Sequence, residues 1–114
     1  MPPLTEHYSA YTEDVATLKR DKWDDDAATL LLALIDATEQ ESREQDVGVA
    51  PWYYEQLAII RRKQHDLDGE IDVLEQFASQ KHAPGSLPAK LSARLDQARQ
   101  KRAASDGKRG EGES

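Results

Sequence analysis

Arg61-Arg62-Lys63 is the densest basic cluster in an otherwise acidic stretch of chain. Guanidinium and ammonium groups held together suit a carboxylate, an acidic peptide or a chain terminus. The same three charges also fall where the C-terminal end of a helix favours cations, so a solvated helix end accounts for them equally. Asp24-Asp25-Asp26 is the acidic counterpart. Calcium and magnesium take carboxylate oxygens, but three consecutive helical residues point about 100° apart and do not converge on one ion. The run is read as helix-start charge, and no metal is expected. His7, His65 and His82 show no ligand spacing and no His-x-x-x-His helical pair, so ordinary surface histidines are expected. There is no Gly-x-Ser-x-Gly elbow and no glycine-rich phosphate loop. The chain is therefore expected not to be an enzyme and to carry no cofactor.

Charge narrows the partners. The net charge is −7, distributed as −8 over residues 1–46, −2 over 47–86 and +3 over 87–114. An acidic body disfavours nucleic-acid binding, because phosphate affinity comes from Lys and Arg. The basic C-terminal segment keeps that option local, through Lys90, Arg94, Arg99, Lys101 and Arg102, or else complements the acidic half of its own fold. With 38% hydrophobic and 32% charged residues, the composition is that of a hydrated surface over a thin core. The longest uncharged apolar run, from Ala27 to Ile35, is about half of what a membrane span needs. Pro2, Pro3, Glu6 and His7 do not make a secretion signal. Zero cysteines exclude disulfides and thiolate zinc sites, and a cytoplasmic location is the expectation.

The elements that must position these residues are all helical, since no stretch alternates β-branched and polar residues. A first helix is predicted from Ser9 or Thr12, with Thr12 as cap and Tyr11, Val15 and Leu18 on one face. The longest helix is predicted to follow Trp23 and run to about Glu44, with Gly48 stopping it. Pro51 suits the first position of a third helix reaching Gln64. A turn at His65-Asp66 leads to a fourth helix, capped by Asp66 or Asp68, on which Leu67, Ile71, Leu74 and Ala78 align. After the break His82-Ala83-Pro84-Gly85-Ser86, Leu87, Leu91, Leu95 and Ala98 predict a last helix over Pro88–Ala103. Residues 1–8 are read as an extension, 9–103 as one helical domain with hairpins 9–46 and 51–81 and a capping helix 88–103, and 104–114 as a disordered tail.

Lys63-Gln64-His65-Asp66-Leu67-Asp68-Gly69-Glu70-Ile71 can be set beside Lys19-Arg20-Asp21-Lys22-Trp23-Asp24-Asp25-Asp26-Ala27, pairing Leu67 with Trp23. Each run has a basic helix end, a tight turn, a large apolar residue and acids opening the next helix. Over Tyr8 to Gln80 this resembles the tetratricopeptide repeat, as does Trp52-Tyr53-Tyr54-Glu55-Gln56-Leu57-Ala58, where Leu57 and Ala58 stand at the family's leucine and small residue. His65 replaces the usual turn glycine, and Glu70 and Asp26 stand where the family prefers alanine. The resemblance implies two antiparallel hairpins with the final helix as cap.

Stacked hairpins of this kind bind partners on the surface lined by the first helix of each unit. Tyr8, Tyr11, Val15 and Lys19 from the first hairpin, and Trp52, Glu55, Ile59, Arg62 and Lys63 from the second, are the candidate partner-binding residues, aromatics with arginine being the usual make-up of an interface hot spot. The expected function is a small adaptor or regulator whose helical groove holds a partner's peptide or helix, acidic or C-terminal in character. Nucleic-acid contact through the basic helix, and a homodimer formed by uncovered hairpin faces, are the alternatives.

Overall fold

The computed structural model describes the backbone of residues 7–82 and 85–113, and side chains as far as residue 105. Most of the expected N-terminal extension, and Ala83 and Pro84 of the expected break, fall outside the described residues. The chain is all α, with no strand among those residues. A 3-10 turn at Tyr8–Tyr11 precedes α1 (Thr12–Arg20), α2 (Asp24–Gln45), α3 (Pro51–Lys63), α4 (Leu67–Ala78) and α5 (Ser86–Glu113). Consecutive helices pack as antiparallel neighbours, and α5 lies against α4 while also reaching α3.

Several boundaries differ from expectation for local reasons. Thr12 does not cap α1; Tyr11 occupies the cap position without a side-chain bond, because the chain enters through the 3-10 turn, whose own cap is His7, accepting from the Ser9 N–H at 3.3 Å. Asp46, in the left-handed region at φ 55°, ends α2 two residues before Gly48. Asp tolerates that conformation better than most side chains. The last helix starts at Ser86, so Pro88 falls in its first turn, where a missing N–H costs little. It continues through Glu113, past the Ala103 limit set by the apolar repeat, and α5 rather than α2 is the longest helix.

The two helix–helix turns share one geometry. In the first, the Lys22 and Trp23 N–H groups donate to the Lys19 and Leu18 carbonyls at 3.1 and 2.8 Å; in the second, those of His65 and Asp66 donate to Arg62 and Arg61 at 3.0 and 2.8 Å. Lys22 (φ 65°) and His65 (φ 58°) are the left-handed residues that close the helix ends. The structural register therefore pairs Lys22 with His65 and Trp23 with Asp66, one residue out from the pairing of Trp23 with Leu67 expected from the sequence. Asp66 uses its place to cap α4, accepting from the Gly69 N–H at 2.9 Å. A Cβ on Gly69 would stand 2.2 Å from that carboxylate, so the small residue keeps the cap in place. Trp23 offers its helix no side-chain cap.

One core runs through all five helices. Leu31 and Leu34 of α2, Tyr54, Leu57, Ala58 and Ile60 of α3, Ile71, Leu74 and Phe77 of α4, and Leu91, Leu95 and Ala98 of α5 are buried. Val15, expected on the binding surface, is fully buried and belongs to this core. Leu30 turns inward, while Leu32 is 49% exposed on the outer face of α2.

Candidate functional site

Trp52, Glu55, Gln56, Ile59, Arg62 and Lys63 form one stripe of α3 at the three- and four-residue spacings that align side chains on a helix. On one flank, Gln56 accepts a hydrogen bond from Lys19 of α1, and Lys63 Nζ lies 3.4 Å from Asp24 of α2. Burial, and then the neighbouring Lys63 charge, push the Lys19 ammonium below its usual pKa. On the other flank, Glu55 is 7% exposed and its Oε2 lies 3.1 Å from Lys90 of α5. Arg62 Nε stands 3.8 Å from Glu70 of α4, which is 1% exposed and also lies 3.3 Å from Arg94 Nη1. These residues thus share one side of α3, but most of the charges among them already serve the fold.

The aromatic candidates hold the entry of the chain. Tyr8 meets Tyr53 edge-on at 5.4 Å, Trp52 meets Tyr53 at 5.2 Å, and the Tyr8 hydroxyl donates to Glu41 at 2.8 Å. His7 Nε2 donates to the same carboxylate at 2.6 Å, so this histidine is engaged with α2. Hydrogen bonds from His7 and then Tyr8 hold the Glu41 carboxyl below its usual range. Tyr11 is half-buried against the core, and Ile59 is half-buried midway along the α3 stripe.

The basic residues of α5 mostly face acids. Lys90 lies against Glu55, Arg94 against Glu70, Arg99 against Glu75 at 3.1 Å and Arg102 against Asp68 at 3.6 Å. These pairs are the complementarity between a basic end and an acidic body considered from the segmental charges. Lys101 is the exception, with no hydrogen-bond or ion-pair partner among the described residues.

Both helix turns come to the same end of the molecule, where two recesses flank the α3–α4 turn. One, about 550 Å³, is walled by Lys22, Trp23, Asp24, Asp25, Asp26 and Gln64. Gln64 reaches across it to donate to Asp25 at 2.9 Å. The other, about 240 Å³, is walled by Arg62, His65, Leu67, Glu70 and Lys101. The edge therefore carries an acidic recess beside a basic one, with Trp23 60% exposed on the acidic side. No group of three or more carboxylates and histidines able to hold a metal occurs among the described residues. Nor, among them, is any helix long and apolar enough to cross a membrane.

Sequence reasoning pointed to Arg62 and Lys63 but missed Trp23, which it took for the apolar residue of the turn. The sequence carried no clear signal for this, because the cap follows a left-handed residue, and Lys22 in that place is not glycine; Trp23 at the cap has no capping oxygen and stays exposed. Glu55, expected on the binding surface, is instead buried at 7% exposure, and Glu39 and Glu70 are two further buried carboxylates without a sequence signal. Comparison with family models, with curated proteins and with solved structures gives no match to the chain.

Proposed function

We propose that the chain is a small, non-catalytic protein-interaction module, an adaptor or regulator built from two tetratricopeptide-like hairpins and a capping helix. The partner segment docks at the edge where the two turns meet, rather than along the full α1–α3 surface. The observation that carries this reading is Trp23. At 60% exposure it presents a large apolar side chain to solvent, at the position where the second hairpin places the capping Asp66. A cap of that kind is worth about 1 kcal/mol, and departures from local rules concentrate at functional or strained sites. Tryptophan is the side chain most enriched at interface hot spots, and arginine supplies the adjoining charge.

Two features support a protein partner over nucleic acid. The acidic body repels phosphate backbones, and four of the five cations between Lys90 and Arg102 are held by acids of the same chain. A cytoplasmic compartment belongs to the same reading, from the absence of cysteine.

The test is affinity capture with wild type and with Trp23→Ala, followed by a titration of the purified partner. A protein held by wild type and lost by the variant, with an unchanged helical circular dichroism spectrum, supports the module and its edge. Equal capture by both, or recovery of nucleic acid alone that nuclease removes, overturns it.

A further inference from the structure

The basic recess has a more specific chemistry than its place in an interface requires. We propose that the cleft walled by Arg62, His65 and Lys101 binds a phosphomonoester carried on a partner's chain. The inference rests on the interaction-module reading for the source of the phosphate, though not for the cleft's affinity toward it.

Three observations lead there. First, the cleft has donors to spare. Arg62 touches Glu70 only through Nε, at 3.8 Å, and a guanidinium carries five N–H donors in a planar fork suited to phosphate. Its side chain is 40% exposed, and the side chains of Lys101 and His65 are exposed and have no hydrogen-bond or ion-pair partner among the described residues. Second, the charge of the lining favours an anion. The one acid lining the cleft, Glu70, is 1% exposed and also lies against Arg94, which stands outside the cleft. Arg62 and Lys101 against Glu70 leave the lining one net positive charge. A phosphomonoester carries between about −1.5 and −2 at neutral pH, against −1 for a carboxylate. Third, the cleft is a concave space beside the α3–α4 turn, where Leu67 of α4 lines it. At about 240 Å³ it holds several times the ~30 Å³ share of a water. Neither Asp66 nor Asp68 lines the cleft: Asp66 accepts from the Gly69 N–H, and Asp68 lies 3.6 Å from Arg102.

The experiment titrates the full chain with inorganic phosphate, and separately with acetate, following backbone amide resonances. Phosphate shifts confined to residues 62–70 and the turn of α5 around Lys101 are expected, saturating in the millimolar range, with acetate weaker by roughly tenfold. Lys101→Glu, at an exposed position with no hydrogen-bond or ion-pair partner among the described residues, is expected to weaken phosphate roughly tenfold, the scale of one lost charge-assisted contact. Arg62→Gln should do the same, and Arg61→Gln, whose guanidinium donates to Gln64 at 3.2 Å, should not. Shifts scattered over the surface, equal binding of acetate, or phosphate binding that survives Lys101→Glu would each overturn the proposal. A phosphoserine peptide and its unphosphorylated twin then test the source: preference for the phosphorylated form supports it, and equal binding counts against it. Trp23→Ala separates the two readings, because it should spare phosphate binding while abolishing partner capture.

Discussion

The Tyr54 hydroxyl donates a 2.6 Å hydrogen bond to Glu39 Oε2, and the Gln76 side-chain amide donates to the same oxygen at 2.6 Å. Tyr54 is fully buried and Glu39 is 9% exposed, so one carboxylate oxygen ties α3 and α4 to α2 inside the protein. A buried acceptor that loses its donor retains its desolvation cost. Tyr54→Phe should therefore destabilise the chain by about 1–3 kcal/mol without changing its helix content. Urea denaturation followed by circular dichroism measures it. A change under a few tenths of a kcal/mol would mean that the carboxylate relaxes to water.

The same pair sets an alkaline limit. Burial, and then the Glu39 carboxylate, push the Tyr54 hydroxyl well above its ordinary value of 10.0. Tyr53 is also raised, by burial, and Tyr8 by burial offset in part by a hydrogen bond with Thr38. The unfolded chain loses these protons near pH ~10, while the folded chain keeps them to higher pH. Stability is therefore complete below that pH and falls as pH rises above it. Thermal melts between neutral pH and strongly alkaline pH should show this decline, and Tyr54→Phe should flatten it. A wild-type melting temperature that holds constant through that range would contradict the assignment.

Arg94 and Glu70 are a pair that should not be broken singly. Their side chains are 17% and 1% exposed, with Nη1 and Oε2 3.3 Å apart. Removing one member of a buried ion pair leaves the other uncompensated, at about 3–5 kcal/mol. Arg62 remains near Glu70 and should hold the loss for Arg94→Met to about 2–3 kcal/mol. In the double variant Arg94→Met, Glu70→Met the chain should recover part of that loss, which a double-mutant cycle detects. Simple additivity of the two single losses would show that the pair is not coupled.

Trp23→Asp should separate folding from binding. The aspartate gives α2 the cap that Asp66 gives α4, worth about 1 kcal/mol, against loss of the covered part of the indole. Stability should change by no more than about 1 kcal/mol, while partner affinity falls by a hundredfold or more, the range of a hot-spot aromatic. In wild type, Trp23 should be open to iodide quenching and become protected when the partner binds. Unaltered quenching in the complex would place the interface elsewhere.

Helix number and order were legible because apolar residues recur at helical spacing, and Pro51 starts α3 where its fixed φ belongs. The turns were harder. Lys22 and His65 adopt a left-handed conformation that composition assigns to glycine, so aligning the runs by their large apolar residues slipped the register by one. Cap chemistry misled at Thr12 because the 3-10 turn precedes it, and at Gly48 because Asp46 ends α2 first. The cluster Arg61-Arg62-Lys63 was visible as charge, but its members part company in space: Arg61 bonds Gln64, Lys63 meets Asp24, and Arg62 faces the basic cleft. The buried glutamates were illegible, since nothing in a one-dimensional pattern says that Glu70 will sit between two arginines.

The ion pairs that seat α5 also bear on the order in which the chain acquires its structure during synthesis. The four helices made first belong to the residue 1–86 stretch that carries most of the acidic residues, and the residues that neutralise Glu55, Glu70, Glu75 and Asp68 emerge after them. At about 5–20 residues per second, a 28-residue helix takes roughly one to six seconds to translate. Through that interval the nascent body has two acids, Glu55 and Glu70, at positions that the finished protein covers, without all of their countercharges. The seating of α5 on α3 and α4 is therefore in part an electrostatic closure, and a ribosome paused before Lys90 would hold Glu55 and Glu70 without those two countercharges.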